Sequence, residues 1–146
     1  MNDVISETLG RALEATLAIA RAFPEDRLDF WPAPNMMTVG EQIEHLSHNL
    51  ESVVEPVAVL LNQDTASPSP SEPVARLERA IRQVNDIMAT VPESDWLREA
   101  EYPGDFSMSI LRAALVILEH DAHHRGQLIV ALRMLDIDPP KRWKDS

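Results

Sequence analysis

Prolines divide this chain into a few long apolar segments, and that division constrains its fold more than any other feature. Eleven prolines lie mostly between the segments, only four glycines are present, and no stretch keeps a sustained alternation of apolar and polar residues. Proline resists the helix interior, and the residue before it resists the α region, so helices tend to end at such positions. The pattern predicts an all-α four-helix bundle, organised as one domain over residues 1–146.

Four stretches show helical apolar spacing between these boundaries: about Asp3 to Ala22, Thr38 to Leu61, Pro73 to Val91, and Ser107 to Leu135. The second has a capping box at Thr38-Val39-Gly40-Glu41, and we expect a kink near Pro56, which removes one helical hydrogen bond. Residues 62–70 are poor in apolar side chains. They predict a surface loop rather than a linker between domains.

Composition excludes several classes of function. With 24 acidic and 13 basic residues, the net charge of −11 gives no attraction for nucleic acid or an anionic membrane surface. The absence of cysteine removes disulfides, thiolate metal sites and a cysteine nucleophile, and leaves histidine and carboxylate as the strong ligands. The first residues lack a basic leader, and no apolar run approaches the ~20 residues of a membrane span. We therefore expect a soluble, unexported, cytoplasmic protein.

The five histidines fall in only two places, His45 and His48 in the second helix and His120, His123 and His124 in the fourth. His120 and His124 are four positions apart, so both rings lie on one helix face, where they interrupt an inward-facing apolar stripe. Two buried imidazoles need polar partners. A shared cation would satisfy both, and the alternative is a pair of core histidines bonded to carbonyls or carboxylates.

The second helix leaves the role of His45 open. Its apolar stripe centres roughly 130° away from His45, so this side chain is either solvated or part of a polar strip beside a pocket. His48 points still further away, and His123 lies at the edge of the stripe of its own helix. If His45 meets His120 and His124, three imidazoles leave a coordination position open, whereas closed structural sites normally have four protein ligands.

Three passages resemble one known family: Phe30-Trp31-Pro32-Ala33-Pro34 followed by Thr38-Val39-Gly40-Glu41, then Glu44-His45-Leu46, then His120-Asp121-Ala122-His123-His124-Arg125-Gly126-Gln127-Leu128. The chain resembles, over nearly its whole length, the DinB-like (DinB/YfiT) family of metal-binding four-helix bundle proteins. The resemblance implies that His45, His120 and His124 bind a divalent metal ion, commonly nickel or zinc. It also implies a bundle that often forms homodimers.

The chemistry implied by the resemblance is less uniform. Some members look like S-transferases or isomerases that use low-molecular-weight thiols, and others like metal-dependent hydrolases. Some thiol-using relatives have glutamate in place of one histidine of the fourth helix, whereas this chain has His120 and His124. We expect an enzyme whose metal activates a thiol or a water molecule toward a small-molecule substrate. The alternative is a non-catalytic, metal-stabilised bundle that acts in dimerisation or partner binding.

Four further residues near the histidines have open roles. Glu41 lies one turn before His45, and Asp121 adjoins His120, so either is a candidate proton acceptor or a supporting partner of a ligand. The simpler alternatives are a capping glutamate and a solvated aspartate. Arg125 and Gln127 are candidates either to contact substrate or to support the site. The alternative for Arg125 is a surface ion pair.

Overall fold

The computed structural model describes residues 2–65 and 67–141 of the chain. This part contains the helices α1 (Asn2–Arg21), α2 (Val39–Leu60), α3 (Pro73–Ala89) and α4 (Ile110–Met134), the antiparallel strands β1 (Glu99–Tyr102) and β2 (Phe106–Ser109), and two short 3-10 turns, Glu25–Arg27 and Glu93–Asp95. The predicted all-α four-helix bundle is confirmed, with a small hairpin added. None of the described helices is both long and apolar enough to cross a membrane.

The helices pack so that α4 lies between α1 and α2. Both α1 and α2 pack against α3 and α4, while α1 and α2 barely touch each other and occupy diagonal corners. Apolar side chains from all four helices form one buried core. The predicted stripe of α2 is buried throughout: Val39, Ile43, Leu46, Leu50, Val53 and Val57. One flank of α4 therefore faces α2, and another faces α1.

The start of α2 is fixed by local hydrogen bonds that the sequence predicts. The Glu41 backbone N–H donates to Thr38 Oγ1 at 3.2 Å, and the Thr38 N–H donates to Glu41 Oε2 at 2.8 Å, which completes the capping box. The Gly40 N–H donates to the Leu28 carbonyl at 2.7 Å. A Cβ at Gly40 would lie 3.1 Å from that oxygen, so glycine permits this close approach. The connector before α2 thereby holds the helix start less than two turns from His45.

The predicted start of α4 is wrong by three residues. Ser107 belongs to β2, and the helix begins at Ile110. The strands are four residues each, too short for a sustained alternation to be visible in the sequence. Their turn places Gly104 and Asp105 at positive φ angles of 88° and 56°. The Ile110 N–H donates to the Arg98 carbonyl at 3.1 Å, so the segment before β1 satisfies a free donor at the start of α4.

The middle of α2 runs through a proline without ending. Helical structure continues past Pro56 to Leu60, and the kink expected there stays a prediction. The loop after α2 is ordered by contacts with α3, since Arg79 Nε donates to Ser67 Oγ at 3.1 Å and Gln83 Nε2 donates to the Thr65 carbonyl at 3.1 Å. This loop lies on the α2–α3 side of the bundle, away from the contact between α2 and α4.

Candidate metal centre

Adjacent helices bring three imidazole rings together in the bundle. His45 comes from α2, and His120 and His124 come from successive turns of α4. One ligand nitrogen from each ring lies within 4.8 Å of the other two. The ring centroids are 4.5 to 4.9 Å apart, and His45 Nε2 lies 3.0 Å from His120 Nε2. The three rings therefore face a common point rather than separate parts of the core.

The distance between His45 and His120 fits a shared divalent cation. Nitrogen ligands about 2.0–2.1 Å from one ion lie about 2.9–3.4 Å apart when the angle between them ranges from 90° to tetrahedral. The 3.0 Å separation of His45 Nε2 and His120 Nε2 falls within this range. Among the described histidine, aspartate and glutamate side chains, the converging group consists of these three histidines. Three protein ligands would leave at least one position for an exogenous molecule.

Burial keeps two of the rings in the protonation state that coordination needs. Burial, together with the neighbouring His120, His45 and His123 rings, lowers the pKa of His124 to about 4, while a hydrogen bond with Gln127 acts in the opposite direction. Burial likewise lowers the pKa of His120, with contributions from His45 and His123. Neutral imidazole has a lone pair free to bind a metal ion. Both α4 rings are therefore ready to coordinate at neutral pH.

The same burial leaves an unsatisfied atom at the site. His124 is 5 % exposed, and its Nδ1 has no hydrogen-bond partner within the described structure. A buried imidazole nitrogen without a partner is energetically unfavourable. A water molecule would supply that partner, and so would a cation if Nδ1 is the coordinating nitrogen. The donor type, the separation and the unsatisfied nitrogen all fit a metal site.

The structure decides the position of His45, which the helical wheel left open. His45 is half-buried on the flank of α2 that faces α4 rather than being fully solvated. For α4 the predicted stripe is correct, since Ile110, Ala113, Ile117, Leu128 and Ala131 are all buried around the two histidines. The α2 stripe fills the core, and His45 lies beside it at the junction of two helices.

The remaining histidines lie outside the cluster. His123 is exposed, and its ring meets the edge of His124 with centroids 4.9 Å apart. His48 is exposed on α2 and lines the same surface depression as His45.

An open depression of about 490 Å³ adjoins the cluster at His45. Its walls are formed by the start of α2, the connector before it and α3: Met37, Glu41, Glu44, His45, His48 and Arg76. A larger hollow of about 700 Å³ lies further along α2 and α3 and is lined by none of the histidines. Of the two, only the smaller depression reaches a candidate metal ligand.

The sequence of this chain matches a known family, and its fold matches known structures. A family model of the DinB superfamily matches residues 8–128. This chain belongs to the DinB superfamily. The fold is similar to that of a DinB-like protein (YjoA) from Bacillus subtilis, with a TM-score of 0.76 and 16 % identity over 94 % of this chain and 96 % of that chain. It is also similar to a DinB-like protein from Bacillus cereus, with a TM-score of 0.71 and 19 % identity over 95 % of each chain.

At these identities, the likeness of this DinB-superfamily protein to the two solved structures concerns the fold alone. No curated protein matches the chain in sequence. The family match covers all three histidines, which lie between residues 45 and 124. Substrate and reaction must therefore be argued from the site itself.

The two candidate carboxylates of this DinB-superfamily chain lie in different environments. Glu41 caps α2 through Oε2 and lines the depression, so the capping role is confirmed. Asp121 is only 1 % exposed, so its expected alternative as a solvated aspartate is wrong. It faces α1, where Thr16 Oγ1 donates to Oδ1 at 2.5 Å and Arg125 Nη1 donates to Oδ2 at 2.5 Å. The surface ion pair considered for Arg125 is thus an internal one.

Thr16 is the residue that the sequence prediction missed. It lies between Leu13 and Leu17 on the buried side of α1 and is itself 1 % exposed. A hydroxyl on the apolar side of a helix needs a hydrogen-bond partner. Its position in the sequence could therefore have indicated a buried polar contact. Within the described part of the chain, no atom lies within 4 Å of a Cβ added at Gly126, so this glycine does not serve a close approach between helices.

Acid should destabilise the metal-free protein through His124. Its pKa is about 4 when folded, against 6.5 for an unperturbed histidine, so between these values the unfolded chain binds more protons. Stability should be highest above pH 6.5 and fall as the pH decreases toward 4, with a loss on the order of 1 kcal/mol between pH 7 and pH 5. Urea unfolding in the presence of a chelator measures this difference.

A leucine at position 124 should remove most of that dependence, because leucine cannot be protonated. The exposed His123 provides the matched control, and His123→Leu should keep the dependence. Equal stability of the wild-type protein at pH 7 and pH 5 would contradict the prediction.

Proposed function

We propose that this protein binds a divalent metal ion through His45, His120 and His124 and is an enzyme that activates a thiol or a water molecule toward an electrophilic small molecule. The observation that carries the proposal is the convergence of three nitrogen donors beside an open depression. When bound, the ion supplies Lewis acidity, which lowers the pKa of a thiol or water that it holds. Nickel or zinc suits three imidazoles, and the metal available decides between them.

The chain's own residues have distinct tasks in this proposal. His120 and His124 are held neutral by burial, which leaves their lone pairs free. The depression beside His45 gives a small molecule access to the centre. Glu41 uses Oε2 to cap α2, while its Oε1 takes part in no described hydrogen bond and can accept a proton or a hydrogen bond from a molecule in the depression.

The metal proposal predicts a sharp difference among the five histidines. Alanine at position 45, 120 or 124 removes one of three ligands, so affinity for Zn²⁺ and Ni²⁺ should fall by more than about 100-fold. This loss is larger than the one expected when a residue that only supports a ligand is changed. Elemental analysis of untagged protein and calorimetric titration measure occupancy and affinity.

His48→Ala and His123→Ala are the matched controls, because these histidines lie nearby but outside the cluster. Both variants should bind metal as the wild-type protein does. An untagged wild-type protein that takes up neither ion, or equal losses in all five variants, would contradict the assignment.

The catalytic part of the proposal predicts turnover that requires the metal. Metal-loaded protein should either transfer a low-molecular-weight thiol to an electrophile or hydrolyse an ester or amide, and His120→Ala should abolish that activity. Glu41→Gln keeps the shape of the side chain and lowers its basicity, so it should reduce kcat more than metal affinity. Full metal occupancy without turnover in either assay would remove the enzymatic proposal.

A second proposal is that the protein acts as a metal-stabilised homodimer without catalysis. One face of α4 carries Leu115 at 55 % and Val130 at 54 % exposure, with Glu119, Ala122 and Gly126 between them. A glycine in mid-helix costs about 1 kcal/mol relative to alanine, and no described side chain uses the space beside Gly126. A second copy of the chain packed on this face would use that space and cover the apolar side chains.

Light scattering after size exclusion tests this arrangement. The wild-type protein should be dimeric, and Leu115→Glu should be monomeric because it would bury a charge in the interface. Leu97→Glu, at another strongly exposed leucine outside α4, should remain dimeric. A monomeric wild-type protein would contradict the homodimer.

A further inference from the structure

A buried polar network joins α4 to α1 behind the histidine cluster. Thr16 Oγ1 donates to Asp121 Oδ1, and Arg125 Nη1 donates to Asp121 Oδ2, both at 2.5 Å. The same Arg125 nitrogen also donates to the Ala12 carbonyl at 3.1 Å and approaches Thr16 Oγ1 at 3.4 Å. Two residues of α4 are thus bound to two residues of α1. We call Thr16, Asp121 and Arg125 the α1–α4 network.

The α1–α4 network is interleaved in sequence with the histidines. Asp121 follows His120 directly, and Arg125 follows His124 directly. On an α-helix each neighbour is rotated by roughly 100°, so one pair of side chains faces α2 and the other faces α1. The same two turns of α4 therefore carry both the candidate ligands and the anchoring bonds.

Metal coordination demands more accuracy than apolar packing provides. Side-chain tips lie about 5–6 Å from a helix axis, so a rotation of α4 by about 10° would move His120 and His124 by about 1 Å relative to His45. Functional constellations need positions held to about 0.5 Å. Apolar burial is not directional, so core packing defines the rotation of α4 less sharply than directional bonds do. Buried hydrogen bonds to a carboxylate are directional and costly to break.

We infer that the α1–α4 network positions α4 so that His120 and His124 meet His45, and that Thr16, Asp121 and Arg125 are positioning residues for metal binding. This inference rests on the proposed metal site. It also assigns a role to the buried Asp121. This carboxylate does not line the depression, so it cannot accept a proton there, but its bond to α1 can hold α4 in place. It further predicts that Thr16 affects metal affinity, although α1 carries no candidate ligand.

The test compares zinc affinity with stability in the untagged full-length chain. Thr16→Val keeps the side-chain shape and removes the hydroxyl, so zinc affinity, measured by competition with a coloured chelator, should fall about 10–100-fold. The absorption spectrum of the Co²⁺-loaded variant should change as well, because the ligand geometry changes. Thr16→Ser restores the hydroxyl and should restore both readouts.

Two controls separate positioning from a general loss of stability. Thr8→Val makes the same substitution on α1, where, among the described residues, the hydroxyl bonds to the carbonyl of Val4 in its own helix. Ile81→Val removes a buried methylene from α3, so it should lower the stability of the metal-free protein in urea. Both variants should keep the zinc affinity and the Co²⁺ spectrum of the wild-type protein.

A Thr16→Val protein that is less stable than wild type but binds zinc equally, with an unchanged Co²⁺ spectrum, would overturn the inference and leave the metal site standing. A wild-type chain that binds neither ion would overturn the metal site and the inference together. Should Thr16→Val fail to fold, Arg125→Lys provides the same comparison, since lysine keeps the charge but cannot reproduce the bonds to Asp121, Thr16 and Ala12. Its zinc affinity should also fall, and wild-type affinity would overturn the inference.

Discussion

The packing of α4 between α1 and α2 is the constraint on which the rest of this structure depends. Its apolar stripe fills the core, His120 and His124 face His45 on α2, and Asp121 and Arg125 bind Thr16 on α1. These three sets of contacts come from the same turns of one helix. A rotation that weakened one set would weaken the others, so core packing and site geometry are fixed together.

Burial has two consequences at the histidine cluster. It lowers the pKa of His124 and His120, which keeps the rings neutral and suited to a metal ion. It also leaves His124 Nδ1 without a hydrogen-bond partner, a cost that a folded protein accepts more readily where a ligand can relieve it. A buried nitrogen without a partner is more typical of functional than of purely structural residues.

Much of the bundle could be predicted from local rules. Apolar spacing located the buried stripes of α2 and α4, and the capping box located the start of α2 at Thr38, because both signals depend on residues within one helix. The hairpin from Glu99 to Ser109 could not be predicted this way. Its strands are short, and they are held by pairing with each other and by packing against α2 and α4. The predicted start of α4 at Ser107 was wrong for that reason.

The sequence by itself determined the four-helix pattern, the His120–His124 pair and the lack of any thiolate ligand, because these follow from residue identity and from spacing within one helix. Only the tertiary structure decided that His45 faces α4, that Asp121 is buried against Thr16, and that His48 and His123 lie outside the cluster. A helical wheel gives the angle of a side chain about its own axis. It contains no information on which helix lies opposite, and that choice is made by packing among residues distant in sequence.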